Sequence, residues 1–344
     1  MRVLVTGHRG YVGGSLMPLL LEKRYQLRGV DADLFSSCSF FGDLASVEEQ
    51  IRDIRTLEKC DLAGFQAVVH LAGLCNDPLG DIDPNLTMAI NFHATVRLAE
   101  IAKAAGVQKF VFASSCSIYG AGGEEWLDEE STLSPVTPYA RSKMLSEQEL
   151  TRLADERFCP VFLRAATAYG ASPKLRFDLV LNNLTAWALT TGRVRLKSDG
   201  SAWRPLVHVE DLGRAFVAAL EAPSELVNCR AFNVGQTEEN YRVSEVAKLV
   251  EEAVSGSRIE FSQQVGVDRR CYRVRCDRIA EELPHFRPAW TVRSGIEQLL
   301  EVLRRQPLSS QDFEGSRFDR KAHLLQLLER GIFDQGLRRK SAVP

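Results

Sequence analysis

The chain has 344 residues, with 43 Lys plus Arg against 45 Asp plus Glu and a formal net charge of −2. So small an imbalance excludes a general polyanion binder, and nucleic acid is not an expected partner. Hydrophobic residues make up 45% and charged residues 26%, ordinary globular values, and no apolar run approaches the roughly 20 residues needed to cross a bilayer, so no membrane association is expected. Met1 and Arg2 lead straight into Val-Leu-Val without an apolar signal core, which speaks against secretion. Cys38, Cys60, Cys75, Cys116, Cys159, Cys229, Cys271 and Cys276 are scattered without metal-ligand spacing, so reduced thiols, a cytoplasmic location and no metal are expected. Residues 1–172 hold 16 basic and 22 acidic side chains and residues 173–344 hold 27 and 23, which makes the second half the better host for an anionic ligand.

Short apolar, β-branched runs at Arg2–Thr6, Gln26–Asp31, Ala67–Ala72, Lys109–Ser114 and Pro160–Ala166 alternate with helical periodicity over Leu16–Lys23, Asn91–Ala105 and Tyr139–Arg157. Strand alternating with helix predicts an α/β chain with a Rossmann-type, doubly wound parallel sheet. The alternation loosens after Gly170, where Pro173, Gly192, Gly200 and Pro205 punctuate the chain. A further strand, Ala231–Val234, precedes a helical pattern over Val243–Ala253, and helices separated by a polar loop near Ser309–Ser316 follow Val292. The expected division is a cofactor domain over 1–172, with returning segments near 206–220 and 230–236, and a smaller, mostly helical substrate lobe over 173–205 and 237–344.

Val3-Leu-Val-Thr-Gly7-His-Arg-Gly10-Tyr11-Val12-Gly13 places three glycines at a spacing of three between the first strand and the first helix. A Cβ in such a turn would clash with a bound pyrophosphate, and the helix start behind it offers unpaired N–H groups and a positive dipole end. Asp31, 24 residues beyond Gly7, ends the second strand where an acid accepts hydrogen bonds from an adenosine ribose. A carboxylate there repels a 2′-phosphate, so NAD is expected rather than NADP.

Tyr139-Ala-Arg-Ser-Lys143 sets a phenol and an ammonium at i and i+4 on one helix face. A cation beside a phenol favours the phenolate, fitting it to exchange a proton with a hydroxyl near neutral pH. The pair follows Ser114-Ser115-Cys116-Ser117-Ile118-Tyr119-Gly120, which begins at the carboxyl edge of the fourth strand candidate, where doubly wound sheets bind ligands.

The Thr-Gly-x-x-Gly-x-x-Gly loop together with Tyr-x-x-x-Lys resembles the extended short-chain dehydrogenase/reductase superfamily, and within it the NAD-dependent sugar-nucleotide epimerases and dehydratases of the UDP-glucose 4-epimerase kind. The resemblance extends along most of the chain. It implies that Gly7, Gly10, Tyr11, Val12 and Gly13 cradle the cofactor. It further implies that Asp43 and Leu44 contact adenine and that Leu71, Ala72 and Gly73 flank the nicotinamide ribose. Asn91 resembles a helix-start asparagine that stabilises the central sheet at the cofactor site, Ser114 a neighbour of the cofactor, and Tyr139 and Lys143 contact cofactor and substrate together. Counted back from Tyr119-Gly120, Ser115 stands at the superfamily's catalytic serine or threonine, with Ser114 as the neighbouring alternative. Dehydratases carry Asp-Glu at the next two positions; Cys116 and Ser117 stand here, which speaks against elimination.

In the second half, Arg176, Asn182 and Asn183 follow the fifth strand, and Arg204 precedes His208-Val-Glu210-Asp211-Leu. Arg269, Arg270, Arg273, Arg275 and Arg278 cluster within eleven residues. Arginine forks suit the oxygens of a diphosphate, and the resemblance assigns that role to Arg204 and Arg270. Arg176, Asn183, Asn76 and Ser117 are further candidates for contact with the sugar nucleotide. His208 and Asp211 read as structural, joining the lobes, and Trp203 either stacks on a base or packs in the core. Two positions depart from the galactose epimerases: Thr167 replaces their usual asparagine in Arg164-Ala-Ala-Thr167, and Cys75-Asn76-Asp77-Pro78 replaces their residues beside the sugar.

These residues imply an NAD-dependent nucleotide-sugar 4-epimerase using Ser115, Tyr139 and Lys143 and passing through a 4-keto sugar. The alternatives are an NAD(P)H-dependent nucleotide-4-keto-6-deoxyhexose reductase and a non-catalytic dinucleotide-binding protein. The resemblance also implies a homodimer through the helices that contain Asn91 and Tyr139.

Overall fold

The structure is a computed structural model that describes residues 1–261, 270–283, 285–306 and 308–340. Seven parallel strands form the central sheet: β1 (Arg2–Thr6), β2 (Gln26–Asp31), β3 (Glu48–Ile51), β4 (Ala67–His70), β5 (Lys109–Ser115), β6 (Cys159–Ala165) and β7 (Ala231–Val234). Their order across the sheet is β3-β2-β1-β4-β5-β6-β7. The chain therefore reverses direction across the sheet between β1 and β4, and the carboxyl ends of those two strands open a crevice, the position where such sheets take ligands. Val3, Leu4, Val5, Val68 and Val69 are at most 1% exposed, as continuous apolar runs covered on both faces must be.

The helices that matter for the site are α1 (Tyr11–Glu22), α2 (Ala94–Ala104), α3 (Pro138–Leu153), α4 (Val180–Thr191), α5 (Val209–Glu221), α6 (Val243–Ala253), α7 (Val292–Arg305) and α8 (Arg320–Glu329). Thr137 caps α3 through its side chain, and Pro138 takes the first helical position, where a missing N–H costs nothing. One apolar cluster joins the sheet to α1 and α5, and a second gathers α4, α6 and α7. Beside the main sheet, Trp203–His208 runs parallel to Thr167–Tyr169 and antiparallel to Asn240–Arg242.

Two expectations about elements are corrected. β3 reads Glu-Glu-Gln-Ile, with no apolar alternation to announce it; the edge pairs Arg28 with Glu48 and Gly29 with Glu49, and the Arg28–Glu48 ion pair at 2.6 Å holds the register. The expected helix from Asn91 begins earlier, at Pro84–Thr87, and passes through a π-helical turn over Met88–His93 into α2, so Asn91 lies inside the helical stretch rather than at its start. No helix of the described residues is long and apolar enough to cross a membrane.

Candidate active site

A cavity of about 1100 Å³ opens at the crevice between β1 and β4. Gly7 has φ +75°, and a Cβ there would stand 2.6 Å from the Ala72 backbone nitrogen, so only glycine lets the loop after β1 close against the loop after β4. A Cβ on Gly13 would likewise lie 2.4 Å from the His8 carbonyl oxygen. Below this turn, Thr6 Oγ1 and His70 Nδ1 lie 2.6 Å apart, and His70 Nε2 reaches Thr95 Oγ1 at 2.8 Å. Burial pushes the His70 pKa down to about 3, so a neutral ring ties the two strand ends to α2. Gly10 caps α1 with no side chain over its N–H groups. The bare helix start and the cradle that a Cβ would fill fit the phosphates of a dinucleotide.

Gly7, Gly10, Tyr11, Val12, Gly13, Asp31, Leu71, Ala72 and Gly73 all line the cavity. Tyr11 also acts as a strut: its hydroxyl donates to the Gly170 carbonyl at 2.8 Å, and burial raises its pKa far above the ordinary phenol value. Asp31 accepts the N–H groups of Arg9 at 3.0 Å and Asp33 at 2.8 Å. These bonds fix the carboxylate at the end of β2, and burial raises its pKa.

Asp43 and Leu44 lie apart from the other residues expected at the cofactor. Neither lines the cavity; Asp43 is exposed, and Leu44 packs near Gly14. Asp53, Ile54 and Arg55, directly after β3, do line the cavity. The polar strand β3 hid these three from the sequence reading; a short polar strand followed by Asp-Ile is the signal that could have found them. Asn91 lies apart as well. It is buried away from the cavity, its Oδ1 accepts the Leu74 N–H at 2.8 Å and its Nδ2 donates to the Leu74 carbonyl at 2.9 Å. It shapes the loop after β4 rather than touching the ligand space.

Ser114, Ser115, Ser117, Tyr139 and Lys143 come together on the wall contributed by β5 and α3. The two serines have different fates, because successive strand side chains point to opposite faces. Ser114 Oγ donates to Glu147 Oε1 at 2.5 Å, and Glu147 forms a buried ion pair with Arg164 at 2.7 Å. Ser115 Oγ accepts the Ser117 N–H at 3.1 Å and keeps its own proton to donate. Ser117 Oγ is buried with no hydrogen-bond partner, which leaves its hydroxyl for a ligand. Cys116 is fully buried, donates to the Arg164 carbonyl at 3.1 Å and does not line the cavity.

Lys143 Nζ donates to the Ala113 carbonyl at 2.7 Å and lies 5.8 Å from the Tyr139 ring centroid. Burial lowers its pKa to about 8, opposed by Cys75 and Glu147. Tyr139, Lys143 and Glu147 stand at i, i+4 and i+8 on α3, so one face carries the phenol, the ammonium and the carboxylate that anchors the serine strand. Sequence reading found the first two; Glu147 is visible in retrospect from the same spacing.

Of the second-half residues, Arg176, Asn183, Arg204 and Arg270 line the same cavity. Arg176 is paired with Asp178 at 2.6 Å and donates to the Cys75 sulfur at 3.1 Å. Asn76, at the cavity wall, donates to Asp178, and Asn183 donates to the Phe177 carbonyl at 2.8 Å. Arg204 donates to the Trp203 carbonyl at 2.7 Å and to the Arg270 carbonyl, which brings the two expected diphosphate ligands side by side. Of the arginine cluster, Arg269 lies outside the described residues; Arg278 is turned to Glu130, and Arg273 stacks on Trp126 and Trp203. Trp203 does not line the cavity; its indole donates to Glu124 at 3.0 Å. His208 stacks on Trp290 at 4.1 Å between centroids, and the Asp211 carboxylate accepts the N–H groups of Ala289 and Trp290, so both fasten the 289–290 segment to α5. Residues 313, 314, 319–321 and 337 also line the cavity, a contribution from the C-terminal segment that sequence reading did not assign.

The sequence model described as the "NAD dependent epimerase/dehydratase family" matches residues 3–235. UDP-glucose 4-epimerase of Mus musculus is 29% identical over 339 residues, covering 88% of this chain and 95% of that one. UDP-glucose 4-epimerase 2 of Oryza sativa subsp. japonica is 33% identical over 289 residues, covering 75% and 70%. Among solved structures, MoeE5 in complex with UDP-glucuronic acid and NAD superposes with a TM-score of 0.78 at 27% identity, covering 89% of this chain and 99% of that one.

Proposed function

The chain belongs to the NAD-dependent epimerase/dehydratase family, and from that premise we propose that it is a nucleotide-sugar 4-epimerase acting on a UDP-hexose through a transient 4-keto sugar. The observation that carries the reading is that Ser115, Tyr139 and Lys143 share one cavity with the glycine loop and with Arg204 and Arg270. Residues 1–172, with returning segments near 206–220 and 230–236, take the dinucleotide in this reading, and 173–205 with 237–344 take the sugar nucleotide.

Held by the glycine loop and Asp31, NAD would supply the hydride acceptor and donor for sugar C4. The protein supplies the rest. Tyr139, as phenolate, takes the 4-hydroxyl proton, and the Lys143 cation on the same helix face favours that phenolate. The Ser115 hydroxyl donates to the sugar oxygen whose charge changes during transfer. Arg204 and Arg270 hold the diphosphate, a fixed pivot about which the 4-keto sugar turns to present its other face. Tyr139 then returns its proton, so neither oxidant nor reductant is consumed.

Elimination has no support at the two positions after Ser115, because Cys116 is sealed behind the wall and Ser117 carries no carboxylate. The test is purified protein with NAD, incubated with UDP-glucose, UDP-galactose and UDP-glucuronic acid and followed by NMR. The expected result is interconversion of a C4 pair with deuterium at C4 retained. Steady NADH consumption with a 4-keto sugar and no interconversion would replace the epimerase by a reductase.

A further inference from the structure

The C-terminal helix α8 brings to the cavity a charge that has no ion-pair partner among the described residues. Arg320 lines the cavity, yet the residue is only 3% exposed. Its Nη2 donates to the Lys174 carbonyl at 3.1 Å, its guanidinium carbon lies 4.7 Å from the Phe35 ring centroid, and its Nη1 is buried without a hydrogen-bond partner. No carboxylate lies within ion-pair distance of it among the described residues. The thiol of Cys38 beside it carries no charge, because burial raises that pKa. The neighbouring cations do not help: Lys174 Nζ is spent on the Phe35 and Ser36 carbonyls and on Ser39 Oγ, and Arg176 already holds Asp178. Asp178 is thus already held by Arg176, and Asp33 is the acid whose charge acts on Lys174. A guanidinium kept out of water with an unused donor is costly unless an anion completes it.

The place of Arg320 says which anion. Phe35 follows the Asp31 turn at the end of β2, and Cys75, which accepts from the neighbouring Arg176, follows Gly73 after β4. Asp31 and Gly73 mark the two riboses in the cofactor reading, and the diphosphate is the part of a dinucleotide that lies between its riboses. Asp319 caps α8 at its first turn, and the Leu337 carbonyl accepts from Arg55, so the segment is fastened along the cofactor side of the cavity. Arg320 also lies beyond residues 3–235, where the family match ends.

We propose that Arg320 binds the diphosphate of the dinucleotide, which makes the C-terminal helix part of the cofactor site and a means of retaining NAD between turnovers. The proposal rests on the cofactor reading of the glycine loop and not on epimerisation, so its test reads binding alone. Wild-type protein, R320M and R320K are stripped of nucleotide and titrated with NAD, adenosine, UDP-glucose and UDP-glucuronic acid, with thermal unfolding of each apo form.

The expected result is roughly ten- to hundred-fold weaker NAD binding by R320M, the loss of a charge-assisted contact, with partial recovery in R320K. Adenosine, which has no phosphate, binds all three proteins equally, and apo R320M melts no lower than wild type because an unbalanced buried charge has been removed. Unchanged NAD affinity overturns the proposal. So does a loss confined to UDP-glucuronic acid, which transfers Arg320 to a sugar carboxylate, or an equal loss for NAD and adenosine, which reduces it to a prop. If R320M does not fold, R320K decides alone: NAD weakened with adenosine unchanged supports the assignment, and both unchanged overturns it.

Discussion

Ser114 Oγ lies 2.5 Å from Glu147 Oε1, while Ser115, one residue on, turns to the cavity wall with its hydroxyl proton uncommitted. In the proposed reaction the two adjacent serines therefore separate into a structural and a reacting one. Ser115→Ala lowers kcat by about 10²- to 10³-fold, the cost of a lost donor at a developing oxyanion, and leaves Tm unchanged. Ser114→Ala costs about 1 kcal/mol of stability and keeps kcat within a few-fold, since Arg164 continues to hold Glu147. Steady-state kinetics and thermal unfolding of the pair check this; the reverse ranking assigns the reacting hydroxyl to Ser114.

Tyr139→Phe keeps the ring and removes the proton carrier. Turnover falls by at least about 10³-fold while NAD content of the purified protein stays at the wild-type level. Retained turnover would take the proton transfer away from Tyr139.

Burial lowers the Lys143 pKa to about 8 from an ordinary 10.5. At this group the unfolded chain then binds more protons than the folded one between those values, so the Lys143 contribution to the stability of the nucleotide-free protein rises as pH climbs from about 8 to 10.5 and is flat below. Lys143→Met removes the cost of holding the cation, up to about 3 kcal/mol, so the variant melts above wild type at pH 7 and the gap closes towards pH 10.5. Turnover is lost at every pH. Melting curves across pH 7 to 10.5 decide, and an unchanging gap would mean that the ammonium is not held at a cost.

Asp31→Asn and Asp43→Asn separate the acid that lines the cavity from the one that does not. The first weakens NAD about ten-fold, ~1.4 kcal/mol, and the second leaves NAD affinity untouched. Fluorescence titration with NADH measures both, and an effect at Asp43 would restore it to the adenine pocket.

Arg204→Ala raises the KM for the sugar nucleotide at least about ten-fold and leaves the Kd for NAD unchanged. Loss of NAD affinity instead would move Arg204 out of the diphosphate site.

The sequence by itself determined the parts that local chemistry encodes. Gly7, Gly10 and Gly13 announce a turn that tolerates no Cβ, five of the seven parallel strands appear as the apolar runs of the first half, Ala231–Val234 supplies a sixth, and Tyr139 with Lys143 follows from helix periodicity. Their burial or backbone geometry leaves a signature in every short window. Only the tertiary structure decided the rest. β3 has no apolar pattern because it is an edge held by Arg28 and Glu48, so nothing in the sequence marked Asp53 after it as lining the cavity. Ser114 and Ser115 are alike in composition and differ only in what faces them, Glu147 from a helix 33 residues away or the open cavity. Arg320 is one arginine among many in the sequence; it becomes distinctive because packing against Phe35 and Lys174 removes it from water without giving it an anion. Short windows encode periodicity and turn sterics, whereas the partner of a polar group is set by contacts between segments far apart in the chain, which no local pattern carries.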